Sequence, residues 1–145
     1  MRCAKPLLLV EDNPDDAMIL KRAAEQLGLS EKMVHVPSAE LALVHLQSAQ
    51  TEKPALILLD LNMPGMSGME FLQTLKNDPG LATIPVVVLT TSKDRHDILQ
   101  SFDRHAAGYI VKPFNYDAAV QALKIIGEYW SLNRLPAFHT CGHLA

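Results

Sequence analysis

The stretch Leu56-Ile57-Leu58-Leu59-Asp60-Leu61-Asn62-Met63-Pro64-Gly65-Met66-Ser67-Gly68 carries the pattern on which the fold turns. Four apolar residues lead into an acid, and a Pro- and Gly-bearing loop follows. Working outward, the same pattern returns three times. Leu7-Leu8-Leu9-Val10 leads into Glu11-Asp12, Val86-Val87-Val88-Leu89 into Thr90, and Tyr109-Ile110-Val111 into Lys112. Runs this apolar read as strands buried on both faces, as in a parallel sheet between two layers of helices. Parallel strands share one C-terminal edge, and open α/β folds place their sites in the crevice there. Glu11, Asp12, Asp60, Thr90 and Lys112 should therefore converge. Such a group can hold a divalent cation, accept a phosphoryl group on a carboxylate and report the event to a mobile surface.

Helical patterns fill the gaps between the runs. Asn13 caps a helix over about Pro14 to Leu27, with Pro14 at its first position, Asp15 and Asp16 in its first turn and Gly28 past its end. A weaker strand follows at Met33–Val36. Ser38 then caps an apolar helix with Glu40 near its start. The third strand is read as Ala55 to Leu59, and the loop after it gives way to a helix from about Met69 to Asn77, stopped by Asp78-Pro79-Gly80. The fourth strand is Ile84 to Leu89 and the fourth helix Asp94 to about Ala106. Gly108 opens the fifth strand. A last helix starts at Asn115 or Asp117 and reaches about Asn133. Five strands alternating with five helices predict an α/β, doubly wound, five-stranded parallel sheet in three layers.

Composition narrows the function. The 145 residues are 48% hydrophobic with a net charge of −3. That suits one globular domain and gives little electrostatic support for nucleic-acid binding. The apolar runs are too short to span a bilayer, and Met1–Pro6 lacks a signal-peptide layout. Cys3 and Cys141 do not make a disulfide framework, so the expected setting is cytoplasmic with reduced thiols.

Taken together, Val10-Glu11-Asp12, Leu59–Gly68, Leu89-Thr90 and Tyr109-Ile110-Val111-Lys112-Pro113-Phe114 resemble a two-component response-regulator receiver domain, a flavodoxin-like (βα)5 fold. The likeness covers residues 5–133. Gly127-Glu128-Tyr129-Trp130 with Leu135-Pro136 resembles the single-domain regulators that partner bacterial phytochromes. The resemblance implies that Asp60 is the phosphoacceptor and that a sensor histidine kinase, in this subfamily a bacteriophytochrome, supplies the phosphoryl group. It implies Mg2+ held by Asp12, Asp60 and the backbone carbonyl of Asn62, with Glu11 acting through water. Lys112, set by a cis bond to Pro113, and Thr90 bind the phosphoryl oxygens. Tyr109 is a switch residue with Thr90, and Asn62 and Ser92 tune hydrolysis of the acyl phosphate.

Residues 134–145 form a tail too short for an output domain, so output is expected by association. In the last helix Ala119, Leu123, Ile126 and Trp130 form one apolar stripe. Ala118, Ala122, Ile125, Tyr129 and Leu132 form another. The second stripe predicts a homodimer through Ile125, Tyr129, Leu132 and Trp130, against a core face covered by the tail. His139, Cys141 and His143 are read as a tail rather than a metal site. Two alternatives keep the chemistry but change the role. One is a metal-dependent aspartyl-phosphate phosphatase, which needs an acid where Asn62 stands. The other is a phosphorelay intermediate that passes its phosphoryl group to a histidine phosphotransfer protein. A flavin carrier of the same topology would need a phosphate-cradling loop where Glu11–Asp16 stands.

Overall fold

Side chains alternate between two faces along every central strand, and each face meets its own helices. Strands β1 (Leu7–Val10), β3 (Leu56–Leu59) and β4 (Val86–Thr90) are buried almost throughout. The partly exposed edges are β2 (Met33–Val36) and β5 (Gly108–Val111). All pairings are parallel, in the order β2-β1-β3-β4-β5. This is the doubly wound, flavodoxin-like order that the sequence predicts. The computed structural model describes residues 5–113 and 115–132, with backbone alone at Ser30, Ser131 and Leu132.

Leu9, Leu56, Leu58, Val87 and Leu89 point to α1 (Pro14–Gln26) and α5 (Tyr116–Leu132), where they pack on Leu20, Ala24, Ala119 and Leu123. Leu8, Val10, Ile57, Leu59, Val86 and Val88 point the other way. They meet Ala42 and Leu46 of α2 (Ala39–Gln47) and Phe71, Leu72 and Leu75 of α3 (Gly68–Asn77). The remaining helix, α4 (Arg95–Asp103), buries only Ser101 and leaves Leu99 and Phe102 exposed. It is the most lightly anchored element of the fold.

Caps account for the helix ends. The Asn13 side chain accepts from the Asp15 and Asp16 N–H groups, and Ser38 accepts from Leu41. Asn115, not Asp117, caps α5, accepting from the Ala118 N–H at 2.8 Å. Ser67 and Glu70 form a reciprocal capping box on α3. Helix α1 ends in a Schellman motif: the Gly28 N–H donates to Glu25 and the Leu29 N–H to Ala24, with Gly28 at φ +74°. Helix α4 ends the same way, with His105 at φ +67° where glycine is usual.

Several boundaries differ from the sequence expectation. Strand β4 begins at Val86 rather than Ile84, because the Ile84 N–H is spent on Leu81 in the preceding turn and Pro85 has no N–H. Strands β1 and β3 each start one residue late, and α1 stops at Gln26. The motif at His105 closes α4 at Asp103. A 3-10 turn at Ser30–Lys32, not expected, leads into β2. No cis peptide bond occurs among the described residues, so the Lys112–Pro113 bond is trans, contrary to what the resemblance implies. Trans is the favoured state of an X–Pro bond, and Lys112 reaches the strand-end carboxylates without leaving it. The expectations for Cys3, Phe114, the Leu132 side chain and the tail, including His139, Cys141 and His143, lie outside the described residues. Among the described residues no helix is long and apolar enough to cross a membrane.

Candidate functional site

The ends of β1, β3, β4 and β5 bring four of the five predicted polar residues inside the molecule. Glu11 is 1% exposed, Asp60 5%, Lys112 9% and Thr90 fully buried. Asp12 is half-buried at the rim. Carboxylate oxygens of Glu11, Asp12 and Asp60 all lie within 4.8 Å of one another. The backbone sets this spacing. The Asp60 N–H donates to the Val10 carbonyl at 3.1 Å and the Glu11 N–H to the Val36 carbonyl at 3.1 Å, so the strand ladders run on into the site. The His35 ring meets the Glu11 carbonyl at 2.8 Å from β2.

Lys112 organises the charge. Its Nζ lies 2.7 Å from Glu11 Oε1, 2.8 Å from Asp16 Oδ2 and 3.3 Å from Asp60 Oδ2. Burial alone would lower the pKa of the ammonium. The hydrogen bonds to Asp16 and Glu11 and the charge of Asp60 outweigh it and hold the group above its ordinary value. Burial also dominates at Glu11 and pushes it up to about 7, the Lys112 hydrogen bond opposing the shift and the Asp60 charge adding to it. The other Glu11 oxygen accepts from the Asn13 N–H at 3.1 Å.

The remaining predicted residues ring this centre. The Asn62 N–H donates to Asp60 Oδ1 at 3.2 Å, and the Asn62 amide reaches Thr90 Oγ1 at 3.3 Å. The Ser92 N–H also donates to Thr90 Oγ1, at 3.4 Å. Ser92 Oγ donates to Asp97 at 2.6 Å, and the Tyr109 hydroxyl to the Ser92 carbonyl at 2.9 Å. Away from the centre, Ile125 and Tyr129 are 62% and 57% exposed on α5, while Trp130 is half-buried and stacks edge-on to Tyr129. Of the second apolar stripe, Ile125 and Tyr129 therefore face outward, while Ala118 and Ala122 are half-buried.

Sequence reasoning missed two residues. Asp16 was assigned only to the helix N-terminus, yet it pairs with a lysine 96 positions away; no local signal announces such a pair. Glu40 accepts from the Met66 N–H at 2.9 Å and so tethers the loop after β3 to α2. The Ser67-x-x-Glu70 box was legible from its spacing.

An all-oxygen acidic pocket at the C-terminal edge of a doubly wound sheet, with a buried lysine facing its central aspartate, defines a class: phosphoacceptor signalling domains that take a divalent metal. Comparison with known proteins agrees. The model of the response regulator receiver domain matches residues 7–124, and the chain belongs to that family. The probable methanogenesis regulatory protein FilR2 of Methanothrix harundinacea is 36% identical over 134 residues, covering 90% of this chain and 86% of that protein. The crystal structure of the phosphorylated cyanobacterial phytochrome response regulator RcpA is similar at a TM-score of 0.85 and 38% identity, covering 93% of this chain and 100% of that one. The Mn(2+)-bound form of response regulator Rcp1 is similar at a TM-score of 0.80 and 33% identity, covering 92% and 99%.

Proposed function

We propose that Asp60 is the phosphoacceptor of a phosphorylation-switched response regulator. The observation that carries this reading is the Asp60 carboxylate itself: nearly buried, 3.3 Å from the Lys112 ammonium, and clustered with Glu11 and Asp12. The three carboxylates offer hard oxygen ligands at a spacing that one cation can bridge, which suits Mg2+. Asp12, Asp60 and the Asn62 carbonyl would hold it, with Glu11 behind water. Once bound, the cation neutralises the charge of the incoming phosphoryl group. Asp60 attacks phosphorus through one carboxylate oxygen, and the donor's nitrogen leaves with the electron pair of the broken bond. Lys112 and the Thr90 hydroxyl then donate to the phosphoryl oxygens. Asn62 and Ser92 tune water attack on the acyl phosphate through their contacts with Thr90. The phosphatase reading gains nothing, since Asn62 stands where a general acid is needed.

The likeness to a phytochrome response regulator supports a sensor histidine kinase, a bacteriophytochrome, as donor, and a cytoplasmic setting. We place the output in association of residues 5–133, with 134–145 as a tail. Ile125, Tyr129, Leu132 and Trp130 form the proposed homodimer face, and the exposure of Ile125 and Tyr129 supports it. Beryllofluoride or acetyl phosphate with Mg2+ should modify Asp60 alone, and Asp60→Asn should abolish the reaction while keeping the fold. Modification of another carboxylate in the wild type would sink the assignment. Sedimentation should show a dimer that Tyr129→Glu dissociates; a wild type that stays monomeric with and without beryllofluoride removes the dimer.

A further inference from the structure

We infer that Asp16 is a positioning residue for Lys112, the anion that keeps the ammonium over Asp60 when a divalent cation enters the pocket. The inference rests on the phosphoacceptor reading above. A lysine ammonium has three N–H donors and no more. Lys112 directs them at three carboxylates, on Glu11, Asp16 and Asp60, at 2.7, 2.8 and 3.3 Å. Two of those partners, Glu11 and Asp60, belong to the acidic cluster that would share its charge with a cation. Asp16 lies outside that cluster.

The consequence follows from charge. A divalent cation repels the ammonium and competes with it for Glu11 and Asp60. The partner it does not claim is Asp16. When Asp60 becomes an acyl phosphate, its own pull on Lys112 falls as well, and the donor aimed at it is free to turn to a phosphoryl oxygen. Throughout both changes Asp16 holds Nζ in place from the first turn of α1. Its position suits a lasting contact. It is 35% exposed, so it keeps part of its hydration, while Lys112 is buried enough for the pair to be only weakly screened.

The test is a double-substitution cycle on beryllofluoride binding in saturating Mg2+, titrated to millimolar concentration and followed by amide NMR. Asp16→Asn should weaken binding about tenfold in the wild-type background, and by less than about twofold in Lys112→Ala. Asp16→Glu, which restores the charge, should recover most of the loss. A second readout needs no phosphoryl analogue. The Lys112 ammonium proton signal, slowed in exchange by its contact with Asp16, should persist in the Mg2+-loaded wild type and broaden away in Asp16→Asn. Equal losses in both backgrounds would make Asp16 a structural residue only, and tighter binding in Asp16→Asn would make it a competitor of the phosphoryl group; either overturns the inference. A wild type that binds no beryllofluoride at Asp60 would instead remove the phosphoacceptor reading beneath it.

Discussion

Gly68 opens α3 directly against the chain that carries Asp60, and its surroundings fix what a single added methyl would do. A Cβ built at Gly68 stands 2.6 Å from Leu61 Cα, 2.7 Å from the Asp60 carbonyl oxygen and 3.0 Å from Leu61 Cδ2. Two of these are main-chain atoms that no rotamer change can move. Its backbone is not left-handed, so the demand is for space alone. The Gly68 N–H donates to the Leu61 carbonyl at 3.1 Å, which sets the close approach. Carbon atoms pack comfortably at about 3.5–4.0 Å, so Gly68→Ala must push α3 and the Asp60–Leu61 segment apart by roughly 1 Å. Helix propensity favours Ala over Gly by up to ~1 kcal/mol. Overpacking of a filled core costs ~1–3 kcal/mol, and here the upper end applies because backbone must yield. The net expectation is a loss of about 2 kcal/mol, or a melting point lower by about 6 °C. Because one of the displaced atoms is the Asp60 carbonyl oxygen, Mg2+-dependent beryllofluoride binding should also weaken by more than about tenfold, a misplacement of 1 Å being enough for such losses.

Gly127 supplies the control. It lies inside α5, where a Cβ would meet only Leu29 Cδ1 at 3.9 Å, an ordinary contact. Gly127→Ala should therefore stabilise by about 0.5–1 kcal/mol with beryllofluoride binding unchanged. Urea unfolding of the two variants decides the matter. A Gly68→Ala protein as stable as wild type, or two variants shifted alike, would refute the steric argument.

His105 occupies a left-handed C-terminal position, which costs an L-residue on the order of 1 kcal/mol, so His105→Gly should raise stability by about 0.5 kcal/mol by urea unfolding. A fall in stability would mean that the His105 side chain contributes more than its strain. In EDTA, Glu11 holds its proton up to about 7 when folded, against an ordinary 4.5. Between those values the folded chain binds more protons than the unfolded one. Its stability should therefore fall as pH rises through that window, by at most ~3 kcal/mol, relative to Glu11→Gln. Parallel pH profiles for the two proteins would show that burial of Glu11 is not what raises it.

The sheet was legible because its signals are local. An apolar run followed by an acid specifies a buried strand and its polar end without any knowledge of its neighbours. Strand ends in a parallel sheet converge by construction, so Asp60 and Lys112 could be paired from 52 positions apart. The caps at Asn13, Ser38 and Gly28 are local too. What escaped depends on the third dimension. Asp16 meets Lys112 only because α1 packs beside α5 on one face of the sheet, and Glu40 meets Met66 only because α2 lies next to the loop from β3. The start of β4 escaped for a finer reason: periodicity counts Ile84 as strand, and only the missing N–H of Pro85 with the turn bond at Ile84 removes it from the ladder.

Ser92 shows how a residue can be placed correctly and still be under-read. From the sequence it is a residue near Thr90 that tunes hydrolysis. In the fold it is a junction. Its N–H donates to Thr90 Oγ1, its hydroxyl to Asp97 in α4, and its carbonyl accepts from Tyr109 in β5. The Thr90 bond is long, at 3.4 Å, while the other two are short, at 2.6 and 2.9 Å. Hydrogen bonds weaken steeply towards such lengths, so turning the Thr90 hydroxyl towards the pocket breaks the weakest link and leaves the two strong ones intact. Ser92 would then move together with Asp97 and Tyr109, not against them. The helix it would carry is α4, held by one buried serine and otherwise showing Leu99 and Phe102 to solvent. The pocket therefore communicates with the least anchored helix through one three-way contact. Ser92 is bonded to both proposed switch residues, so Thr90 and Tyr109 would act together rather than separately.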